Sequence, residues 1–152
     1  MEIPNDQPAI TPAQARQRLS GLLGTAARLL RREDTDTAQN RYFFSCENGY
    51  AELSVCGGYL LRYALHPRTA PSDAAIVSRM LSDPDLEALA NTFLSKNGIS
   101  PDTAQSVRTE DLHGIRIFSY GFSESRTVTV GIRQNDGAVM SYDSTSFYRR
   151  IP

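Results

Sequence analysis

The residues that could do chemistry are few. Only two histidines occur, His66 and His113, and neither has Cys, Asp or His at metal-ligand spacing. His66 stands before Pro67 at the expected end of a strand. His113 stands in Asp111-Leu-His-Gly114, which reads as a loop entering a strand. Glu110-Asp111 is a carboxylate pair, but neighbours in sequence within a loop are usually solvated rather than set as acid and base. Gly57-Gly58 is the one Gly-rich pair, and it joins two strands, so no helix N-terminus follows it to hold an anion. No Gly-x-Ser-x-Gly elbow occurs. The side chains supply no evident nucleophile, base or metal set, so the expectation is a protein without catalytic activity, cofactor or metal.

Composition narrows the alternatives. The chain has 152 residues, 40% of them hydrophobic, and a formal net charge of −1. Such a balance projects no long-range field for nucleic acid or anionic lipid. The one basic cluster, Arg28, Arg31 and Arg32, runs at once into Glu33, Asp34 and Asp36 and reads as a solvated helix end and loop. No stretch approaches the about 20 apolar residues that a membrane-spanning helix needs. The polar start, Met1–Ala9, has no signal-peptide core. Cys46 and Cys56 are too few for a disulfide framework, and the strand register below keeps them apart as free thiols.

Two helices and a series of strands are expected to form the frame. Thr11 as N-cap and Pro12 at the first helical position open a helix whose stripe is Ala15, Leu19, Leu22, Leu23 and Ala26. Gly24 could end it, or Ala26, Leu29 and Leu30 could carry the stripe to about Arg31. Asn48-Gly49 between β-prone runs is a type I′ hairpin signal. That turn pairs Glu47 with Tyr50, Cys46 with Ala51, Phe44 with Leu53 and Tyr42 with Val55, and it puts Tyr42, Phe44, Ala51, Leu53 and Val55 on one core face. Gly57-Gly58 turns the chain into a strand from Tyr59 to Ala64, and residues 67–75 read as a linker.

The second half repeats that order. Ile76, Val77, Met80 and Leu81 suggest a short helical turn, and Asp83-Pro84 opens a helix with the stripe Leu86, Leu89, Ala90, Phe93 and Leu94. Asn97-Gly98-Ile99 stops it. Strands follow over 115–122 and 127–133, then a turn at Asn135-Asp136-Gly137 and a closing strand from Ala138 to Asp143. The segments Tyr59-Leu-Leu-Arg-Tyr63 and Ala138-Val-Met-Ser-Tyr142 fall in phase. The fold class is therefore α+β, with one unit over 10–66 and a second over 76–148, each a helix packed on an antiparallel sheet.

Phe118, Tyr120 and Phe122 give the strand 115–122 one apolar face, while Ile115 and Ile117 make the other apolar too. One face must be covered, by the other unit or by a partner, so these three aromatics are the candidate partner contacts. Basic residues are not interleaved with the aromatics as a nucleic-acid platform requires. A protein surface fits better, with strand addition at an open sheet edge as one route.

A helix, a strand pair and a strand after a Gly turn, repeated in tandem, resembles the PepSY domain. More narrowly, Gly57-Gly-Tyr-Leu-Leu-Arg-Tyr-Ala-Leu-His-Pro-Arg68, Leu86-Glu-Ala-Leu-Ala-Asn-Thr-Phe-Leu-Ser-Lys-Asn-Gly98 and Gly137-Ala-Val-Met-Ser-Tyr-Asp-Ser-Thr145 are similar to the C-terminal region of the YpeB family of spore germination proteins. The closing pattern Gly-x-Val-x-x-(Phe/Tyr)-Asp-(Ala/Ser)-Thr is the most specific part. The resemblance implies tandem PepSY-like repeats and a non-catalytic binding or regulatory module that stabilises or restrains a spore cortex-lytic hydrolase. It implies a place on the extracytoplasmic side of the inner spore membrane, reached through a membrane segment this chain lacks, so that the chain would be a C-terminal piece or a shortened relative. The alternative it allows is a PepSY-type inhibitor of a secreted peptidase. Asp143 in the closing motif reads as a turn former that bonds the backbone beyond it.

Overall fold

The fold comes from a computed structural model that describes residues 8–36, 40–66 and 81–148. The expected linker over 67–75 and the helical turn at Ile76, Val77 and Met80 lie outside the described residues.

Helix α1 (Pro12–Leu23) starts where its caps require. The Thr11 hydroxyl accepts from the Gln14 N–H at 3.1 Å and the Gln14 side chain accepts from the Thr11 N–H at 2.8 Å, a reciprocal capping box. The α-helix ends at Gly24, whose φ of 59° needs glycine, yet the apolar stripe runs on through a 3-10 helix (Gly24–Leu29) that buries Ala27 and Leu30. Each of the two expected boundaries describes one part of this segment.

The charged run beyond it is a strand, not a solvated loop. Strand β1 (Arg32–Asp36) pairs antiparallel with β2 (Arg41–Cys46), and β3 (Gly49–Ser54) and β4 (Leu60–Leu65) complete a meander. Helix α2 (Asp83–Lys96) is capped by Ser82, whose hydroxyl accepts from the Asp85 N–H at 3.3 Å. It closes in a Schellman turn: the Gly98 N–H donates to Ser95 O and the Ile99 N–H to Leu94 O, with Gly98 at φ 82° and Ile99 buried. A second meander follows, β5 (Ser106–Leu112), β6 (Ile115–Gly121), β7 (Thr127–Arg133) and β8 (Val139–Asp143).

The strands form a single eight-stranded antiparallel sheet in the order β1-β2-β3-β4-β8-β7-β6-β5. Among the described residues the order is thus helix, four strands, helix, four strands. The last strands of the two meanders meet in the middle, where Arg62 opposes Asp143, Tyr63 opposes Tyr142 and Ala64 opposes Ser141. The two tyrosines that fall in phase in the sequence are therefore partners across the central seam.

The first hairpin corrects the expected register. Cys46 pairs with Gly49, Phe44 with Ala51 and Tyr42 with Leu53, so the turn residues are Glu47-Asn48. Neither Asn48 nor Gly49 has a positive φ. Gly49 serves close approach: a Cβ there would lie 2.6 Å from Leu65 Cδ1 and 2.9 Å from Ala64 O on β4. Because the slip is two residues, side chains keep their faces and Tyr42, Phe44, Ala51 and Leu53 are all buried. A two-residue turn with positive φ at both positions does occur, at His113 (52°) and Gly114 (80°), between Leu112 and Ile115. The expected loop over Asp111–Gly114 is thus a β5 end and a tight hairpin. Cys46 and Cys56 are both free.

Both helices lie on the Tyr63/Tyr142 side of the sheet. The Arg16 guanidinium sits 4.7 Å from the Phe44 ring centroid, and the Phe93 ring meets Tyr142 edge-on at 5.0 Å. Helix side chains and this sheet face share one continuous core, with Leu19, Phe44, Leu53, Leu86, Leu94, Val130 and Ile132 inside it.

Candidate functional site

Among the described residues both helices cover one face of the sheet and leave the other open, and this division places the expected contact residues. Phe118, Tyr120 and Phe122 are 2%, 1% and 8% exposed. Tyr120 donates its hydroxyl proton to Asn91 Oδ1 on α2 at 2.7 Å, and Phe122 packs edge-on against Phe147 at 5.0 Å. The three aromatics belong to the core: the chain's own second helix and C-terminal turn cover them, so they present no surface to a partner. The other face of β6, carrying Ile115 and Ile117, is half-buried and has no described helix over it.

Strand register builds the open face residue by residue. One cross-strand row runs Asp34, Phe43, Glu52, Arg62, Asp143, Thr129, Ser119 and Arg108. Glu52 pairs with Arg41 in an ion pair, and Arg62 Nε lies 3.6 Å from Asp143 Oδ2. The next row has Tyr50, Ala64, Ser141, Gly131 and Ile117, so small residues form its middle and larger apolar ones its ends. Tyr50 is 43% exposed. Glu52 is buried, whereas the Arg62 and Asp143 side chains are exposed, and their pair beside a shallow apolar strip can recognise another protein by shape and charge. Both sheet edges, β1 and β5, are exposed along the side chains described and rich in charge, which disfavours indiscriminate strand addition.

Among the described residues the histidines and carboxylates do not converge on one site. His66 is exposed at the end of β4, and His113 is exposed in the β5–β6 turn. Glu110 and Asp111 project to opposite faces of β5; Asp111 binds Arg116 and accepts from the Gln134 amide at 2.9 Å. Arg116 is also 3.1 Å from Asp83, and its hydrogen bond to Asp111 holds its pKa above the ordinary value. Among the described residues no group of three or more His, Cys, Asp and Glu could hold a metal ion. Burial pushes the Tyr120 and Tyr142 hydroxyls up to about 12 and raises Tyr63 and Tyr148 as well, so all four are neutral at pH 7.

One carboxylate is tuned for stability. Asp136, in the β7–β8 turn, accepts from Arg133 Nε at 2.9 Å and from the Ala138 N–H at 3.1 Å. Burial alone would raise its pKa, but the Arg133 and backbone hydrogen bonds outweigh burial and lower it. A carboxylate whose folded pKa is depressed adds stability above its unfolded pKa and loses it as pH falls through the folded value. Asp136→Asn is therefore expected to cost about 1–2 kcal/mol at pH 7. Urea denaturation as a function of pH should show the gap to wild type shrinking below about pH 4.

Asp143, Ser144 and Thr145 of the closing motif each make structural hydrogen bonds. Asp143 Oδ1 accepts from the Thr145 N–H at 2.9 Å and from its hydroxyl at 2.6 Å, which makes the expected turn. Ser144 donates to Leu60 O at 2.6 Å, Tyr148 donates to Asn97 O at 2.6 Å, and the Tyr148 ring stacks on Tyr59 at 4.3 Å. Asn97 completes the joint. Its Oδ1 accepts from the Leu60 N–H, and its Nδ2 donates to Leu60 O and to the Tyr142 hydroxyl, each at 2.8 Å. The sequence shows Asn97 as a helix stop; its role as a clamp between the halves depends on partners 37 and 45 residues away.

No protein-family model matches the chain, and no curated protein sequence matches it. Among the described residues no helix is long and apolar enough to cross a membrane. Among solved structures the chain is similar to the Bacillus megaterium YpeB C-terminal domain, with a TM-score of 0.62 and 15% sequence identity over 95% of this chain and 69% of that one. Two helices on one eight-stranded antiparallel sheet among the described residues, closed by the Gly137–Thr145 motif, thus give this chain an α+β fold that resembles the YpeB C-terminal domain.

Proposed function

We propose that the chain is a non-catalytic binding and regulatory module of the YpeB kind, made of two PepSY-like repeats, which stabilises or restrains a spore cortex-lytic hydrolase. The observation that carries this reading is the fold likeness to the YpeB C-terminal domain across nearly the whole chain. The scattered histidines and the structural use of the closing motif agree with it. The partner is another protein, bound on the extracytoplasmic side of the inner spore membrane. The contact surface on this reading is the open sheet face around Tyr50, Arg62, Ile117 and Asp143, because both helices and the aromatic face of β6 are already committed to the core.

The test is co-purification of the chain with the cortex-lytic hydrolase of the source organism, together with the hydrolase level in spores lacking the chain. The expected result is a complex that wild-type chain forms and that Arg62→Glu and Ile117→Glu each weaken at least roughly tenfold. Circular dichroism would show that both variants stay folded. Absence of a complex together with unchanged hydrolase in the deletion strain overturns the proposal. Inhibition of a secreted peptidase by the purified chain, without hydrolase binding, would replace it with the inhibitor role.

A further inference from the structure

Strand β5 ends the sheet, and among the described residues no strand pairs with its outer side. Apart from charge it has none of the features that usually close an edge: it runs for seven residues without proline and pairs residue for residue with β6. All of its residues are exposed. Val107 and Leu112 are 48% and 47% exposed, so two of the four large apolar side chains exposed among the described residues stand on this one strand. Arg108 and Glu110, opposite Ser119 and Ile117, have no ion-pair partner among the described residues.

The hairpin fixes which backbone groups of β5 point outward. A two-residue turn closes on a hydrogen-bonded pair, here Leu112 with Ile115, and bonded pairs then alternate along the ladder. Glu110 and Arg108 therefore bond β6, while Val107, Thr109 and Asp111 turn their N–H and C=O groups away from the sheet. A second copy of β5, brought up antiparallel with Thr109 opposite Thr109, meets those groups with their complements, because Val107 then faces Asp111. The same register sets Arg108 opposite Glu110 of the second copy on each side of the axis, on the open face. Moving the axis to Arg108 sets two arginines together, and moving it to Glu110 sets two glutamates together. Asp111 stays satisfied, because Arg116 and Gln134 of its own chain hold its carboxylate. Strand β1 fails the same operation, which at its centre sets Asp34 against Asp34.

We propose that β5 is a self-association strand: two copies of this chain join β5 to β5, antiparallel about a two-fold axis at Thr109, into one continuous sheet. Strand pairing keeps each face on its own side, so the helices of both copies lie on one side and the two open faces run on as one surface. The charges that deter other strands here select a copy of the same strand in one register, so an exposed, regular edge does not become a general template. A two-fold joint consumes the β5 edge of both copies and closes at the dimer. The inference stands on edge geometry and charge and does not depend on the regulatory role proposed above.

Sedimentation equilibrium of the intact chain, from about 10 μM to about 1 mM, should show a reversible monomer–dimer equilibrium, as the small area of one strand pair requires. Arg108→Glu or Glu110→Arg alone replaces both ion pairs by like-charge contacts and should weaken the dimer roughly tenfold or more. The two single variants mixed in equal amounts should pair with each other, and the chain carrying both exchanges should dimerise as wild type does. Thr109→Pro removes an N–H that only the second copy uses, so that chain should keep its circular dichroism spectrum and stay monomeric. A wild-type chain that is monomeric up to about 1 mM overturns the proposal. So does a dimer that neither charge exchange weakens, or single variants that fail to pair when mixed. A mass that keeps growing with concentration overturns it in favour of head-to-tail pairing of β5 with β1.

Discussion

Phe118→Ala is expected to destabilise the chain by about 3–5 kcal/mol, the cost of deleting a fully buried ring and leaving a cavity. Phe118 is 2% exposed, opposes Val130 on β7 and Thr109 on β5, and stacks toward Tyr120 with ring centroids 6.5 Å apart. Against a total stability of about 5–15 kcal/mol for a domain of this size, that loss is a large fraction. It should lower the thermal midpoint by roughly 10 °C or more. Urea unfolding is the direct measurement: the midpoint should drop while the slope stays unchanged. Ile117→Ala, one residue away on the open face, should cost clearly less, about 1 kcal/mol, because that side chain is only half-buried. A loss below about 1 kcal/mol for Phe118→Ala would put the ring back on the surface as a partner contact.

That contrast shows where the sequence was silent. Alternation along 115–122 reveals two apolar faces, but it carries no information about which of them a helix will cover. The answer lies in α2, whose Leu86, Ala90, Phe93 and Leu94 close over β6 and β7. The helices themselves were legible because their ends are local: Thr11 with Gln14, Ser82 with Asp85 and the Asn97-Gly98-Ile99 stop bond within a few residues. The edge strands were not. Arg32–Asp36 and Ser106–Leu112 have almost nothing to bury, since each has a neighbour on one side only, and charge at an edge guards against aggregation rather than marking a loop. The Asn48-Gly49 signal failed because the glycine answers a steric demand from β4, a contact with Leu65 and Ala64 that only tertiary structure creates. The faces survived that error because a two-residue slip preserves parity.

Asn97→Ala is expected to cost about 3 kcal/mol, more than a usual helix-cap deletion, because the side chain joins the halves as well as ending α2. Its removal takes the acceptor from the Leu60 N–H and the donor from the Tyr142 hydroxyl, both in the interior, while Leu60 O keeps the Ser144 hydroxyl at 2.6 Å. The Leu60 N–H is stranded, the Tyr142 hydroxyl keeps only its bond with Ser144, and the joint loses the carboxamide's packing, which together set the size of the effect. Thermal melting should show a fall of roughly 6–12 °C. Tyr142→Phe strands only the Asn97 amide proton, and Nδ2 still has Leu60 O, so about 1 kcal/mol is expected. The double variant should cost less than the sum of the two, since both remove the same bond. Hydrogen exchange supplies the more specific reading. Leu60 belongs to the first meander and Asn97 to the helix of the second, so loss of the clamp should reduce amide protection along β4 and β8 together. If protection fell only at the end of α2, Asn97 would be a helix cap alone, and the joint between the halves would rest on Ser144 and Tyr148.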